Sequence, residues 1–117
     1  MRVKRIVANI AATSVEDAKL FYAELFGLDV VMDHGWIVTL ASGETAQTQI
    51  SIATEGGSGT VVPDISIEVE DVDVVYQRAK SLGHTIKYEL TDEPWGGRRF
   101  YLSDPTGKLI NVLSHPG

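Results

Sequence analysis

Residues 98–114, Arg-Arg-Phe-Tyr-Leu-Ser-Asp-Pro-Thr-Gly-Lys-Leu-Ile-Asn-Val-Leu-Ser, decide the fold of this chain. Two stretches rich in apolar and aromatic residues, 98–103 and 108–113, have the composition of strands. The tetrapeptide between them, 104–107, places proline and glycine where a type I turn favours them. The segment is therefore predicted to be a β-hairpin. Alternation within it predicts that Ile110 and Val112 pack under a helix, while Leu109, Asn111 and Leu113 face the other way.

Two helices are predicted, each with a capping residue before it and a glycine after it. Ser14 precedes the first helix and Gly27 ends it, while Asp71 and Gly83 mark the second. Apolar stripes with helical spacing comprise Ala18, Phe21, Tyr22 and Leu25 in the first, and Val72, Val75, Ala79 and Leu82 in the second. The two glycines lie about half a chain length apart, which indicates an internally duplicated unit.

The remaining strand signals complete the repeat. They cover residues 3–11, 29–32, 36–40, 47–53, 64–69 and 85–90. The glycine-rich stretch 55–60 is predicted to be a flexible connector between the halves. We therefore predict an α+β fold in which two tandem βαβββ modules form a curved mixed sheet with a concave ligand cavity. One domain is expected over 1–117, with module one at about 1–57 and module two at about 58–117.

Composition excludes several classes of function. The 117 residues carry a formal net charge of -6, which argues against nucleic acid or an anionic membrane as partner. The chain has no cysteine, which excludes disulfides, cysteine-bound metal centres and thiol nucleophiles. The N-terminal apolar run is too short for a signal peptide, because Asn9 interrupts it. A cytoplasmic protein is expected.

Three segments carry a family resemblance. They are Phe21-Tyr22 with Leu25-Phe26-Gly27, the strand-to-helix junction 67–73 (Ile-Glu-Val-Glu-Asp-Val-Asp), and 100–111, which contains the hairpin turn. Together with the duplicated βαβββ order, they resemble the vicinal oxygen chelate superfamily of glyoxalases, bleomycin resistance proteins and extradiol dioxygenases. The resemblance spans nearly the whole chain and implies that superfamily's fold. Fold alone does not fix function.

The resemblance also locates the superfamily's metal-binding positions. In metal-dependent members, His, Gln or Glu side chains hold a divalent ion that two substrate oxygens chelate. Here the matching positions are Val7, Asp64 and Asn111. One carboxylate and one amide form a weak set for zinc, nickel or iron. We therefore predict no metal site and no cofactor. The histidines are predicted to be dispersed surface residues: His34, His84 and His115.

The superfamily's register implies a cavity of amides, hydroxyls and one cation. Its predicted lining comprises Asn9, Gln49, Ser51, Asp64, Ser66, Trp95, Arg99, Tyr101 and Asn111. Such a lining suits a small polar or anionic molecule with Arg99 as its charged anchor. Pairing of Arg98 and Arg99 with Asp92 and Glu93 is the alternative. Asp64 is a candidate general base, or it caps a strand or pairs with Arg99.

The two tryptophans receive different interpretations. Trp95 lies in the loop 94–97, whose glycines let the backbone approach a ligand, and is predicted to be a lid or stacking platform. Trp36 is predicted to fill the core or a subunit contact, and packing is the alternative for both.

The leading functional hypothesis is a metal-free small-molecule-binding protein, similar to bleomycin resistance proteins, that sequesters a drug or metabolite. The alternative is a glyoxalase-like lyase or isomerase, or a dioxygenase-related enzyme, whose metal site is divergent or completed in a dimer. An interaction module without a small ligand is the third hypothesis. The resemblance also implies a homodimer.

Overall fold

A computed structural model describes residues 7–44 and 51–115 of the chain. The elements are α1 (Val15–Phe26), β1 (Asp29–Asp33), β2 (Val38–Ala41), β3 (Ile65–Glu68), α2 (Val72–Ser81), β4 (Ile86–Asp92), β5 (Arg98–Ser103) and β6 (Leu109–Ser114). The predicted α+β class with mixed, open sheets is confirmed. Residues 64–114 show the complete predicted βαβββ order.

Both helices begin at the predicted caps. The Ser14 side chain accepts a hydrogen bond from the Asp17 N–H, and the Asp71 carboxylate accepts from the N–H groups of Asp73 and Val74. Gly27 ends α1 in the left-handed conformation, with φ 68°, which glycine adopts without steric cost. The bonds to Ser14 and Asp71 satisfy N–H donors that a helix N-terminus leaves free.

The second sheet has the strand order β3-β6-β5-β4, and its centre is the predicted hairpin. The turn is closed by a 3.0 Å hydrogen bond from the Gly107 N–H to the Asp104 carbonyl. Tyr101 lies opposite Asn111 in the antiparallel β5–β6 pair. The predicted alternation is confirmed, since the residues facing the helices are fully buried: Phe100, Leu102, Ile110 and Val112.

Buried residues of α1, α2, β5 and β6 form one hydrophobic cluster. Helix α1 reaches the second half directly, because the Tyr22 hydroxyl donates to the Asp104 carboxylate at 2.6 Å and Arg78 donates to the Leu25 carbonyl at 3.0 Å. These contacts fix α1 beside the β5–β6 turn and beside α2, respectively. Within the ranges 7–44 and 51–115, the helices are too short and too polar to cross a bilayer.

The first half departs from the predicted strands. Residues 7–11 and 51–53, which belong to two predicted strands, have no strand structure, and the rest of those strands lies outside the described residues. The described sheet of this half is the β1–β2 hairpin alone. The stretch 55–60, predicted to be flexible, contains a turn closed by hydrogen bonds between Gly56 and Thr60 and between Thr60 and Gly57. A strand-like composition specifies a strand only when a neighbouring strand pairs with it.

Candidate functional site

The face of the second sheet opposite the helices is organised around Arg99. Although charged, Arg99 is only 6% exposed, and Tyr101 beside it is 2% exposed. The Arg99 Nε donates to the Glu93 carboxylate at 3.0 Å, and Nη2 forms an ion pair with the same carboxylate oxygen at 2.8 Å. Its Nη1 donates to the Gly56 carbonyl and the Tyr101 hydroxyl, and Nη2 also donates to the Gly57 carbonyl. A guanidinium has five N–H donors, and four hydrogen bonds together with the Glu93 ion pair leave Arg99 little capacity for a ligand.

Three aromatic rings surround this guanidinium. The rings of Tyr88, Trp95 and Tyr101 lie 5.3, 5.0 and 5.0 Å from the Arg99 Cζ. We call Arg99, Glu93 and these three residues the Arg99 cluster. Trp95 also packs on Gly57, where an added Cβ would lie 2.7 Å from the indole ring. The cluster therefore holds the 56–60 turn against the sheet.

The charged residues thus adopt the paired alternative. Arg99 forms a buried ion pair with Glu93, whose carboxylate also accepts hydrogen bonds from Ser58 and Tyr88. Arg98 bonds Asp73 and Asp92 on the surface. A charge that is already neutralised and fully hydrogen-bonded gives little attraction to an added anion.

Asn111 and Ser66 form a polar pair on the same sheet. The Asn111 Nδ2 donates to the Ser66 hydroxyl at 3.0 Å, while the Asn111 Oδ1 is buried and has no hydrogen-bond partner among the described residues. Asp64 is exposed, and its carboxylate accepts from the Leu109 N–H at 2.8 Å. Asp64 therefore ties the start of β3 to the start of β6, which is the strand-capping alternative.

The donor set at the superfamily's metal positions does not fit a catalytic metal. Val7 supplies only hydrocarbon, Asp64 is engaged with a backbone N–H, and Asn111 supplies one amide oxygen. Within 7–44 and 51–115, three or more His, Cys, Asp or Glu side chains nowhere come together as a cation site. His115 instead lies 3.2 Å from Glu68, and His84 packs against the Phe21 ring.

A cavity of about 510 Å³ lies in the first half of the chain. Its walls are the segment 7–12, the N-terminal part of α1, and residues 36–40 of the β1–β2 hairpin. Most lining side chains are apolar, and the polar ones are Asn9, Lys19, Tyr22 and Thr39. The Tyr22 hydroxyl is committed to Asp104, and burial raises the pKa of Tyr22 above its ordinary value.

Trp36 stands at the edge of this cavity. It lines the cavity, yet its side chain is 78% exposed. The turn that presents it is held by hydrogen bonds from the Gly35 N–H to the Asp33 carboxylate and from the His34 N–H to the Ile37 carbonyl. An indole held this way offers a free face for stacking. Sequence reasoning assigned Trp36 to packing, and no local pattern distinguishes the two roles.

The predicted ligand residues fall into separate places. Three of them belong to the Arg99 cluster, namely Trp95, Arg99 and Tyr101. Three others lie on β6 or at β3, namely Asp64, Ser66 and Asn111. Asn9 lines the cavity, Ser51 is exposed, and Gln49 lies outside the described residues. Sequence reasoning missed Lys19 and Thr39 in the cavity wall. Lys19 is a polar residue beside the helical stripe, and only the packing of α1 shows what it faces.

Comparison with known proteins defines the family. The family model described as Glyoxalase/Bleomycin resistance protein/Dioxygenase superfamily matches residues 2–112. The chain therefore belongs to this superfamily, as its motifs predicted. Among curated protein sequences, none is similar enough to count as a match.

Solved structures share the fold across the whole chain. A superfamily member from Sphaerobacter thermophilus is 25% identical with a TM-score of 0.69, and the alignment covers 98% of both chains. TnmS3, an antibiotic binding protein from Streptomyces sp. CB03234, is 22% identical with a TM-score of 0.68, covering 99% of this chain and 97% of that one. A lactoylglutathione lyase from Agrobacterium tumefaciens is 20% identical with a TM-score of 0.69, covering 97% and 92%. The last two likenesses show a common fold.

Proposed function

We propose that this protein binds a small organic molecule without a catalytic metal and thereby sequesters it. The cavity beside α1 carries the proposal. Its volume of about 510 Å³ lies inside the range of roughly 300–1,000 Å³ that is typical of small-molecule sites. An apolar lining with a few polar groups is also typical of such sites, because burial of the ligand supplies affinity and the polar groups orient it.

Two further observations support binding over catalysis. The fold neighbour TnmS3 is an antibiotic binding protein, so this fold serves ligand capture in at least that chain. The positions of Val7, Asp64 and Asn111 supply too few metal donors for the oxyanion stabilisation that metal-dependent members use. The enzyme alternative, the strand-face ligand set and the cytoplasmic location stay predictions.

Ligand-induced stabilisation tests the proposal directly. Thermal unfolding is measured across aromatic and glycopeptide-like compounds, and a ligand at a hundredfold excess over its Kd is expected to stabilise the protein by about 2.7 kcal/mol. A screen that finds no ligand at micromolar concentration contradicts the proposal.

The two tryptophans then locate the site. Binding in the cavity quenches or shifts Trp36 emission, so the spectral response is lost in Trp36→Phe and kept in Trp95→Phe. The reverse pattern would place the ligand on the Arg99 cluster, as the sequence predicted. Each variant is the other's control, since both replace an exposed indole by a phenyl ring.

Metal content separates binding from the enzyme alternative. The purified, untagged protein is analysed by elemental mass spectrometry before and after dialysis against nickel, zinc and manganese. We expect no stoichiometric metal to remain. Retained metal would overturn the metal-free proposal and favour a glyoxalase-like or dioxygenase-related enzyme with a divergent site.

We also propose a homodimer, supported by the apolar surface of the first half. All five residues of β1 are exposed, including Val31 at 60%. Ile52 in the same half and Val61 just beyond it are exposed at 96% and 68%. A two-stranded sheet is marginal in water unless another layer covers it, and a second copy of the chain supplies such a layer.

A further inference from the structure

The cavity beside α1 carries a positive charge, although the protein as a whole is acidic. Among its described lining residues, Lys19 is the single charged side chain. The chain as a whole is acidic, with a formal net charge of -6. A lone cation in a mostly apolar wall indicates the polarity of the ligand group that it would meet.

The Lys19 ammonium is positively charged and has N–H donors that Glu16 does not occupy. Its Nζ lies 2.9 Å from the Glu16 carboxylate, one turn back on the same helix. The hydrogen bond to Glu16 raises the pKa of Lys19, and Asp33 adds a smaller effect in the same direction. An ammonium has three N–H donors, so two remain when Glu16 takes one.

The partner of Lys19 is easily displaced. The Glu16 side chain is 66% exposed, whereas that of Lys19 is 24% exposed. Exposed pairs at helical spacing contribute little to stability because water solvates both charges well. A ligand carboxylate inside the cavity can therefore replace Glu16 as the partner of the Lys19 ammonium, and Glu16 then returns to solvent.

Trp36 supplies the second recognition element. Lys19 lies on the α1 wall of the cavity and Trp36 on the hairpin wall. The indole is held at the edge by its turn and is largely free. A planar ring can stack on it while the apolar lining covers the rest of the ring.

We propose that the ligand of this cavity is a planar aromatic carboxylate, whose ring stacks on Trp36 and whose carboxylate binds the Lys19 ammonium. The inference rests on the proposed binding function and narrows it to one chemical class. It follows from the cavity, its single cation and its exposed indole taken together.

Three matched probes test the class: 2-naphthoate, 2-naphthamide and naphthalene, which share one ring system. Dissociation constants are measured by calorimetry and by Trp36 emission. We expect naphthoate to bind about fivefold or more tightly than the amide, because a charge-assisted hydrogen bond is stronger than a neutral one.

Two variants of one ion pair should act in opposite directions. Lys19→Met keeps the aliphatic stem and should weaken naphthoate binding by roughly five- to tenfold while leaving naphthalene unchanged. Glu16→Gln frees the ammonium and should tighten naphthoate binding by about two- to threefold. Thermal unfolding of both variants, which lie on the helix surface, verifies that they fold.

The outcomes separate this inference from the function on which it rests. Equal affinity for all three probes, or no change in Lys19→Met, overturns the carboxylate class and leaves cavity binding intact. If none of the probes binds, the aromatic carboxylate class is wrong, and the wider compound screen decides whether the binding function also fails.

Discussion

Among residues 7–44 and 51–115, Asn111 is the one with a buried side-chain atom that lacks a hydrogen-bond partner. Its Oδ1 is buried without a hydrogen-bond partner among the described residues, although its Nδ2 reaches Ser66. A buried polar atom without a partner costs roughly 1–3 kcal/mol. The next residue of the same strand, Val112, is fully buried on the opposite face of the sheet. The strand therefore accepts β-branched side chains.

We expect Asn111→Val to raise the free energy of unfolding by about 1 kcal/mol, because it removes the unsatisfied amide and adds a side chain that suits a strand. Urea denaturation measures the change. Ser66→Ala is the control and should be nearly neutral, since Ser66 is exposed and water replaces its bond. Destabilisation by Asn111→Val beyond 1 kcal/mol would mean that Oδ1 has a partner.

Tyr22 links stability to alkaline pH. Burial first, and then its hydrogen bond to Asp104, raise the pKa of Tyr22 in the folded state. The neutral phenol is favoured in the folded protein, so this contribution is complete below the unfolded pKa of about 10 and is lost as pH rises above it.

The free energy of unfolding should therefore fall between pH 10 and 11.5, by no more than about 1.4 kcal/mol per pH unit for this one group. Tyr22→Phe should show a shallower fall, measured by denaturant titration at several pH values. Tyr76→Phe is a useful comparison, because its hydrogen bond to Glu89 raises the pKa of Tyr76 as well. An unchanged pH slope in Tyr22→Phe would contradict this assignment.

At the scale of elements, the 56–60 turn is held against the sheet by the Arg99 cluster. Gly56 and Gly57 contribute carbonyl acceptors, and Thr60 contacts the Tyr101 hydroxyl at 3.0 Å. Gly57 has φ 85° and directly contacts the Trp95 ring, whereas Gly59 has φ 76° and open space around it. Substitutions at these two glycines therefore distinguish the cost of backbone strain from the cost of steric contact with Trp95.

Gly57→Ala should destabilise the protein by about 1 kcal/mol more than Gly59→Ala. Both variants place a Cβ on a left-handed residue, at a cost of about 1–2 kcal/mol. Only Gly57→Ala also pushes the indole away from Arg99, with loss of a cation–π contact. Denaturation gives the free energies and Trp95 emission reports the displacement. Equal effects of the two substitutions would show that the indole moves without cost.

At the scale of the whole molecule, the described part of the first half is less buried than the second half. The radius of gyration is 14.6 Å, above the roughly 13 Å expected of a compact domain of this length. The exposed β1 strand belongs to this half, whereas the second half contributes most of the buried cluster. This asymmetry is what the proposed homodimer would relieve.

Light scattering coupled to size exclusion should give twice the chain mass of 12.7 kDa. Val31→Asp should shift the protein toward monomer at micromolar concentration, because it places a charge on the exposed strand that the partner would cover. Val74→Asp is the matched control, since Val74 is 50% exposed on α2. A monomeric wild-type protein, or equal dissociation by both variants, would contradict this interface.

The sequence by itself determined the α+β class, the family, both helices and the β5–β6 hairpin. Ser14, Asp71 and Gly27 act through hydrogen bonds and dihedral angles within four residues of themselves, so their effect can be predicted locally. The alternation of Asn111 between Ile110 and Val112 is likewise local, because a strand has a fixed period.

Only the tertiary structure decided which groups meet. The sequence left Arg99 either facing the cavity or paired with Glu93, and its bonds to the carbonyls of Gly56 and Gly57 depend on where the 56–60 turn packs. Lys19 and Trp36 share a cavity because α1 packs beside the β1–β2 hairpin. Apart from the Arg99–Glu93 pair, such contacts join residues far apart in sequence, so no local pattern encodes them and packing selects the partner.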